Sequence, residues 1–212
     1  GHIFDSTWAH NFIKMTKEEA LKSLEEEIRQ DTSLPLETNL VFGEGSSNCV
    51  VIFIGEAPGE QEDIQKRPFV GRGGQLLNKM LEAIGWKRES VYITNIVKRR
   101  PPNNRDPLPE EITAYKPYLS RQIAIIKPKI IATLGRFAMN YFAPDAKISR
   151  DHGKIFRVNG KFLLIPMYHP AAALRSADIV MSQFQRDFKK MKAVAAKADE
   201  LLAKPTPENE IK

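Results

Sequence analysis

Short apolar runs that alternate with amphipathic stretches restrict the possible fold of this chain more than any other feature. Three such runs, at residues 50–54, 91–94 and 129–134, are rich in β-branched side chains and end at a glycine or an asparagine. Continuous apolar runs are typical of strands covered on both faces, and strands that alternate with helices favour a parallel sheet. The sequence therefore predicts an α/β fold.

Helical patterns fill the spaces between these runs. Apolar side chains recur at helical spacing after Gly71, and Pro109 stands where proline is favoured, in the first turn of a helix. Thr16 and Glu19 form a capping box at the start of another helix. An Asn-Gly pair at residues 159–160 predicts a β-hairpin between two short strands. Helices are expected over residues 16–29, 71–84, 109–126 and 177–202.

Length and composition indicate one domain. A chain of 212 residues is long enough to bury a sizeable core. We expect a single domain over residues 15–204, with a tag remnant or disordered lead at residues 1–14 and a polar tail at residues 205–212. No run of about 18 apolar residues occurs, so no membrane partner is expected. The lead lacks the regions of a signal peptide, and a cytoplasmic monomer is the simplest expectation.

Charge and cysteine content by themselves exclude few classes of function. A formal net charge of +6 suits a polyanionic partner, because basic side chains bind phosphates, but a basic surface without a partner explains it equally well. The single cysteine, Cys49, opens an apolar run, where a buried small side chain is expected. One thiol forms no intrachain disulfide and holds no zinc or iron–sulfur centre by itself.

Polar residues follow several of the predicted strands. Ligands of parallel α/β sheets bind outside the carboxyl ends of the strands, a rule that selects the residues after Gly55, Asn95, Gly135 and the pair Tyr168-His169. The turn Gly-Glu-Ala-Pro-Gly at residues 55–59 is suited to present backbone N–H groups to a carbonyl or a phosphate, or it is a plain strand-to-loop turn.

Three side chains near these strand ends suit a nucleobase. The amide of Asn95 offers a donor and an acceptor side by side, which matches N3–H and O4 of uracil and mismatches cytosine. His169 is placed to donate a hydrogen bond to a developing oxyanion. Phe69 is suited to stack on a base. A capping asparagine, a surface histidine and a core phenylalanine are the alternatives.

Five segments occur in a fixed order along the chain. They are Gly-Glu-Ala-Pro-Gly (55–59), Arg-Pro-Phe-Val-Gly (67–71), Val-Tyr-Ile-Thr-Asn-Ile-Val-Lys (91–98), Arg-Pro-Pro-Asn-Asn-Arg (100–105) and Tyr-His-Pro (168–170). As a set, within a likeness from about residue 20 to residue 195, they resemble the family 4 uracil-DNA glycosylases. The resemblance implies a three-layer α/β/α fold with a central four-stranded parallel sheet, and removal of uracil from DNA in base excision repair.

The resemblance also implies a role for each site residue. Glu56 and Ala57 belong to the turn that holds uracil and positions water, and His169 stabilises the departing uracil anion. Position 57 is alanine where the best-known uracil glycosylases carry an aspartate, so we expect leaving-group stabilisation to dominate, with Glu56 or a backbone carbonyl orienting water. The candidate catalytic residues are Glu56, Ala57, Asn95 and His169. The expected uracil-binding residues are Gly55, Ala57, Glu62, Phe69, Asn95 and His169.

The expected partner is uracil-containing DNA, single- or double-stranded, with binding that weakens steeply with salt. Ala173 or Leu174 is suited to act as an apolar wedge in the base stack. The expected DNA contacts are Gly71, Arg72, Gly73, Gly74, Arg100, Asn103, Arg105, Pro170, Ala173, Leu174 and Arg175.

Family 4 enzymes typically hold a four-iron four-sulfur cluster through four cysteines. By alignment on the five segments, those places hold Ile28, Asp31, Arg99 and Tyr115. We therefore expect no cluster, no other cofactor and no metal, with an ion pair between Asp31 and Arg99 in its place. A related branch captures uracil covalently through a histidine in an inserted loop, and residues 98–106 contain neither.

Three other functions fit parts of the sequence. A catalytically decayed DNA-binding module would explain the missing cysteines but not the presence of Glu56, Asn95 and His169. A glycosylase for another deaminated base, such as hypoxanthine, stays open because pocket volume is not readable from sequence. An unrelated flavodoxin-like enzyme would leave segments 100–105 and 168–170 unexplained.

Overall fold

The computed structural model describes residues 15–176, 178–204 and 210–211. The expected lead at residues 1–14 lies outside the described residues, as do residues 205–209 and 212 of the expected tail. Within the described part, seven strands form one sheet. Their bounds are β1 Glu44–Gly45, β2 Val51–Gly55, β3 Tyr92–Asn95, β4 Ile130–Leu134, β5 Phe156–Val158, β6 Phe162–Met167 and β7 Glu210–Ile211.

The four central strands run parallel in the order β3-β2-β4-β6, which confirms the expected central sheet. Strands β5 and β6 form the hairpin that the Asn-Gly pair predicted, and β1 adds a second antiparallel edge. The chain leaves β2 for β3 on one side and continues to β4 on the other. Strand order therefore reverses at β2, and such a reversal opens a crevice at the carboxyl ends of the strands.

Helices cover both faces of the sheet. Their bounds are α1 Lys17–Gln30, α2 Glu60–Gln65, α3 Arg72–Ala83, α4 Pro109–Ile126, α5 Arg136–Phe142, α6 Ile148–Asp151, α7 Pro170–Arg175, α8 Asp178–Ala195 and α9 Ala198–Ala203. Helices α3 and α8 pack on one face, and α1, α4 and α5 pack on the other. The three-layer α/β/α fold is thus confirmed. No helix in the described ranges has both the length and the apolar character that crossing a membrane requires.

Alternate side chains of the central strands supply two separate cores. In β2, Val51 and Phe53 face α3 and α8, whereas Ile52 and Ile54 face α1 and α4. All four are at most 1% exposed. Burial of one such side chain contributes about 1.5–3 kcal/mol, so the two-sided strand is the main anchor of the sheet.

Most predicted element boundaries agree with the structure to within a residue or two. The capping box is confirmed, because the Thr16 hydroxyl accepts the N–H of Glu19 at 3.2 Å and the Glu19 carboxylate accepts the N–H of Thr16 at 2.8 Å. Cys49 is buried as expected. The last helix differs from the prediction: it divides into α8 and α9, because the backbone at Lys197 leaves the helical conformation. The expected tail also contributes β7, which pairs with β5.

The four positions that correspond to cluster ligands do not fit an iron–sulfur cluster. Ile28 on α1 and Tyr115 on α4 are fully buried in the apolar layer between these helices and the sheet. The Tyr115 hydroxyl donates to the carbonyl oxygen of Pro35 at 2.8 Å. Iron–sulfur clusters are held by thiolates, and none of the four side chains supplies one.

The expected ion pair between Asp31 and Arg99 is wrong. Asp31 accepts hydrogen bonds from the Tyr118 hydroxyl and from the backbone N–H of Ser33, the latter at 2.9 Å. Arg99 donates to the carbonyl oxygen of Thr38. The Ser33 hydroxyl also donates to Asp31, at 2.5 Å, and this bond, followed by that of Tyr118, lowers the pKa of the Asp31 carboxyl. The loop after α1 is therefore fastened to α4 by tyrosine hydroxyls, and Arg99 binds the loop backbone.

We expect Tyr118→Phe to lower the free energy of unfolding by about 1–2 kcal/mol, because it removes one hydrogen bond to a carboxylate. Thermal melting checks this result. The matched test is the same substitution in an Asp31→Asn background, where the loss should shrink. Equal losses in both backgrounds would show that the Tyr118–Asp31 contact carries no stability.

Candidate active site

A cavity of about 580 Å³ opens at the carboxyl ends of the central strands. Glu56 and Ala57 follow β2, Asn95 ends β3, and His169 follows β6. The fold thus brings together residues from the three strand ends at which sequence reasoning placed polar groups. Gly55 lies beneath the cavity rather than on its surface. The other predicted uracil-binding residues line it: Ala57, Glu62, Phe69, Asn95 and His169.

Asn95 borders this cavity with an unpaired acceptor. Its side-chain oxygen Oδ1 is buried and has no hydrogen-bond partner among the described residues. Leaving a buried acceptor unpaired costs about 1–3 kcal/mol, so such an atom marks a place where a ligand completes the bonding. A Cβ at Gly55 would overlap both Oδ1 and the Phe69 ring, so the close approach of these groups to β2 requires glycine there.

Phe69 is held in place by its surroundings. Its ring centroid lies 5.8 Å from that of His169, and its backbone φ of +50° is in the left-handed region that phenylalanine disfavours. Arg88 stabilises this conformation: it donates to the Phe69 carbonyl at 3.2 Å and pairs with Glu44 at 2.8 Å. A Cβ at Gly74 would overlap that carbonyl, so α3 begins this close to Phe69 only with glycine at position 74.

Glu62 lines the cavity, but its carboxylate forms hydrogen bonds with the backbone of the surrounding loops. It accepts the N–H groups of Gly59, Val70 and Gly71 at 3.2, 2.9 and 2.7 Å. Three such bonds tie the turn after β2 to the loop that carries Phe69. The side chain therefore positions two walls of the cavity at once, which the sequence prediction of a simple pocket-lining residue did not include.

His169 is neutral at physiological pH, with its proton on Nε2. The backbone N–H of Ala171 donates to Nδ1 at 3.1 Å, so Nδ1 acts as the acceptor and the other ring nitrogen carries the hydrogen. Burial, helped by the nearby Arg175 cation and opposed by Glu62, lowers the pKa of the imidazole to about 4. A neutral imidazole thus offers one N–H donor to a ligand.

The pKa of Glu56, which also lines the cavity, shifts upward, whereas that of His169 shifts downward. Burial, helped by the nearby Asp106 carboxylate and opposed by Arg136, raises the pKa of the Glu56 carboxyl to about 7. No hydrogen bond to this carboxyl occurs within the described ranges. Ala57, the next residue, brings a methyl group to the cavity and no second acid. Near neutral pH, Glu56 therefore exchanges between acid and carboxylate.

The predicted DNA contacts divide into two groups. Those that line the cavity are Gly71, Arg72, Gly73, Gly74, Arg105 and Arg175. Those outside its lining are Arg100, Asn103, Pro170, Ala173 and Leu174. Glu111 binds Arg105 with two hydrogen bonds of 2.9 and 2.6 Å, so this arginine also fixes the proline-rich loop. Ala173 is 1% exposed and Leu174 is 40% exposed, so the fold presents only Leu174 as a wedge.

Sequence reasoning missed a wall of the cavity formed by Asp106, Arg136 and Phe137. Arg136 donates to Asp106 at 2.8 Å, and its guanidinium lies 4.2 Å from the Phe137 ring centroid. The strand-end rule had selected Gly135, directly before Arg136. No motif stands there in the sequence, so position after a strand was the only available signal.

Tyr168 was quoted as part of a segment but not as a site residue, although it lines the cavity. Its ring centroid lies 4.6 Å from that of His152, whose Nδ1 is 2.8 Å from the Asp187 carboxylate. Burial raises the pKa of Asp187, and the bond to His152 opposes this rise. The loop that carries His169 is thereby anchored to α8.

Residues 42–194 match the family described as the uracil DNA glycosylase superfamily. The chain belongs to this superfamily, which agrees with the topology of its sheet and with the place of its cavity.

Three relatives are named type-4 uracil-DNA glycosylases. The chain is 47% identical to the one from Sulfurisphaera tokodaii, over 74% of this chain and 76% of that protein. It is 48% identical to the protein from Saccharolobus solfataricus, over 73% of this chain and 75% of that protein. It is 43% identical to the protein from Thermotoga maritima, over 76% of this chain and 86% of that protein. The family resemblance drawn from the five segments is thus confirmed.

The raised pKa of Glu56 predicts a pH-dependent stability difference. The carboxyl ionises near pH 4.5 in its ordinary state and near pH 7 in the folded chain, so folding is penalised increasingly as pH rises between these values. Glu56→Gln should therefore raise the melting temperature relative to the parent, with a difference that grows from pH 4.5 to pH 7 and then levels off. Glu60→Gln on α2 is the exposed control. A Glu56→Gln difference that is independent of pH would contradict this burial effect.

Proposed function

We propose that this protein removes uracil from DNA by hydrolysing the bond between the base and the deoxyribose. The observation that carries the proposal is the unpaired, buried Oδ1 of Asn95 at the cavity. An acceptor there pairs with N3–H of uracil, and the amide nitrogen beside it donates to O4. Cytosine has no hydrogen on N3, so the same amide would face it with an unpaired acceptor. The names of the relatives support this substrate.

Base flipping is the way in which a base would reach this site. The C1′–N1 bond is inaccessible inside a duplex, so the enzyme extrudes the nucleotide or acts on single-stranded DNA. The extruded base stacks on Phe69, whose backbone is fixed by Arg88. Leu174, exposed on α7, enters the gap left in the stack. Arg72 and Arg175, which both line the cavity, bind the phosphates next to the extruded nucleotide.

Stabilisation of the departing base is the main catalytic step. As the bond breaks, negative charge develops on uracil and the sugar becomes oxocarbenium-like. The Nε2–H of neutral His169 donates to O2 of the base, a bond that strengthens as this charge grows. A neutral donor suits the role because its proton stays on the nitrogen while the base leaves. One such donor contributes about 3 kcal/mol in comparable oxyanion sites.

Water attack is assigned to Glu56. Its carboxylate, formed as pH rises through about 7, accepts a hydrogen bond from the water that adds to C1′. Ala57 supplies no competing acid. The proton released by the attack passes to this carboxylate, uracil leaves with the bonding electron pair as an anion, and a proton from solvent then neutralises the released base. The products are free uracil and an abasic site.

The assay of this proposal uses labelled oligonucleotides that contain uracil or thymine, followed by alkali to cut abasic sites. The parent should cut only the uracil strand. We expect Asn95→Ala and His169→Ala each to lower the single-turnover rate by about 10²–10³-fold, because each removes a contact to the leaving base. Glu60→Gln is the control and should cut at the parental rate.

Failure of the parent to cut uracil DNA, with binding retained, would contradict the proposal and favour a decayed DNA-binding module. Cutting of a hypoxanthine strand in preference to uracil would favour the other deaminated base. Parental rates for both Asn95→Ala and His169→Ala would contradict the assignment of these residues.

We also propose that the protein acts without an iron–sulfur cluster. Ile28 and Tyr115 occupy two of the ligand places as buried core residues, and hydrogen bonds from Tyr118 and Arg99 hold the loop that lies there. The purified protein should contain less than about one iron per ten chains and show no absorbance near the visible band of iron–sulfur clusters. Stoichiometric iron that is lost together with activity on chelation would contradict this proposal.

A further inference from the structure

A fully buried lysine lies directly behind the residue that reads the base. Lys98 is 0% exposed, three positions after Asn95, and no carboxylate is among its hydrogen-bond partners in the described ranges. Burial lowers the pKa of its ammonium group well below the usual value. Burying an amine without a counter-ion is costly, so its presence here calls for a function.

The amine of Lys98 contacts three oxygens. Nζ lies 2.8 Å from the backbone carbonyl of Asn95, 2.6 Å from Oγ1 of Thr94 and 2.6 Å from Oε1 of Gln122. Asn95 and Thr94 are the last two residues of β3, and Gln122 belongs to α4. The side chain therefore turns back on its own loop and fastens the end of β3 to the helix that covers it.

This contact determines where the chain turns after the strand. The N–H groups of Ile96 and Val97 donate to the carbonyls of Gly55 and Glu56 at 2.9 and 3.1 Å, which ties the two strand ends together. The carbonyl of Asn95 belongs to the same peptide group as the N–H of Ile96, and Lys98 holds it from the opposite side. The peptide on which the base-reading side chain is mounted is thus restrained on both sides.

The same network extends away from the cavity. Gln122 Nε2 donates to the carbonyl of Phe42 at 3.1 Å and to the Tyr92 hydroxyl at 3.0 Å. Thr94 Oγ1 donates to the same Phe42 carbonyl at 2.7 Å. Every polar group of this buried cluster has a partner, whereas Oδ1 of Asn95, at its edge, has none in the part of the chain that the structure describes. Fully paired buried networks make a structure rigid at their position.

We propose that Lys98 is a positioning residue for uracil recognition: by holding the Asn95 carbonyl, it keeps the Asn95 amide at the place and angle at which it reads the base. The inference rests on the proposed role of Asn95. Lys98 touches neither base nor sugar, and it acts only through Asn95. A displacement of about 1 Å at a reacting group costs up to about 100-fold in rate, so a loose Asn95 would be a serious defect.

The test is a double-mutant cycle with Lys98→Met, which keeps an unbranched side chain only one heavy atom shorter and removes its donors. Single-turnover cutting of uracil DNA should fall about 10- to 100-fold in Lys98→Met. In an Asn95→Ala background, the same change should cost less than about threefold, because the residue through which it acts is gone. Binding to DNA with a preformed abasic site should stay at the parental affinity, since no base is read.

Tyr92→Phe is the matched control. It removes one hydroxyl from the same buried network, at the far end from Asn95, and should lower the melting temperature without changing the cutting rate. If Lys98→Met fails to fold, Thr94→Val replaces it: this variant removes one of the three contacts of Nζ at nearly constant volume. A smaller rate loss that again disappears in the Asn95→Ala background is expected.

The outcomes separate the two proposals. A Lys98→Met protein that cuts at the parental rate would overturn the positioning role. The role would also be overturned if the rate losses of Lys98→Met and Asn95→Ala multiplied fully in the double variant. Weakened binding of Lys98→Met to abasic DNA would overturn it as well, because it would indicate general damage to the fold. An Asn95→Ala protein that cuts at the parental rate would instead overturn the proposed function on which this role rests.

Discussion

The parallel pairing of β2 with β3 is the constraint on which the site depends. Its register places Gly55 opposite Asn95, so the two strands end side by side. Because the strands are parallel, the residues that follow them emerge at the same edge of the sheet, and Glu56 and Asn95 come to line the same cavity. The contact is close enough that any side chain at position 55 would displace Asn95 or Phe69.

Around this pair, most polar groups form hydrogen bonds within the protein, and a few stay available to a ligand. The Glu62 carboxylate and the Arg88 guanidinium are fully engaged in holding loops, and they give the cavity its shape. Among the residues that the structure describes, Asn95 Oδ1 and the Glu56 carboxyl have no hydrogen-bond partner. Burial also moves two pKa values in opposite directions, towards a neutral His169 and a Glu56 that ionises near neutrality. A rigid frame with a few uncommitted groups is what leaving-group stabilisation requires.

The predictable part of this structure is the part that local pattern determines. Apolar runs specified three of the four central strands, the Asn-Gly pair specified the fourth as an arm of a hairpin, and the residues at the strand ends specified most of the site. Long-range pairs had no such signal: Arg88 with Glu44 and Arg136 with Asp106 join residues far apart in sequence. The expected ion pair of Asp31 failed for this reason, because a tyrosine on α4 reaches its carboxylate. Two-residue strands such as β1 are likewise too short to show a pattern.

The region around Ile28, Asp31, Arg99 and Tyr115 is physically connected to the end of β3 that carries Asn95. The loop after α1 is fastened at Asp31 by Tyr118 and at Pro35 by Tyr115. It then runs to Phe42, whose carbonyl accepts hydrogen bonds from Thr94 and Gln122. Loosening the loop would therefore loosen the network behind Asn95. Tyrosine hydroxyls and core packing together provide this fastening, so the position of the loop and that of the Asn95 end of β3 are set by one continuous set of contacts.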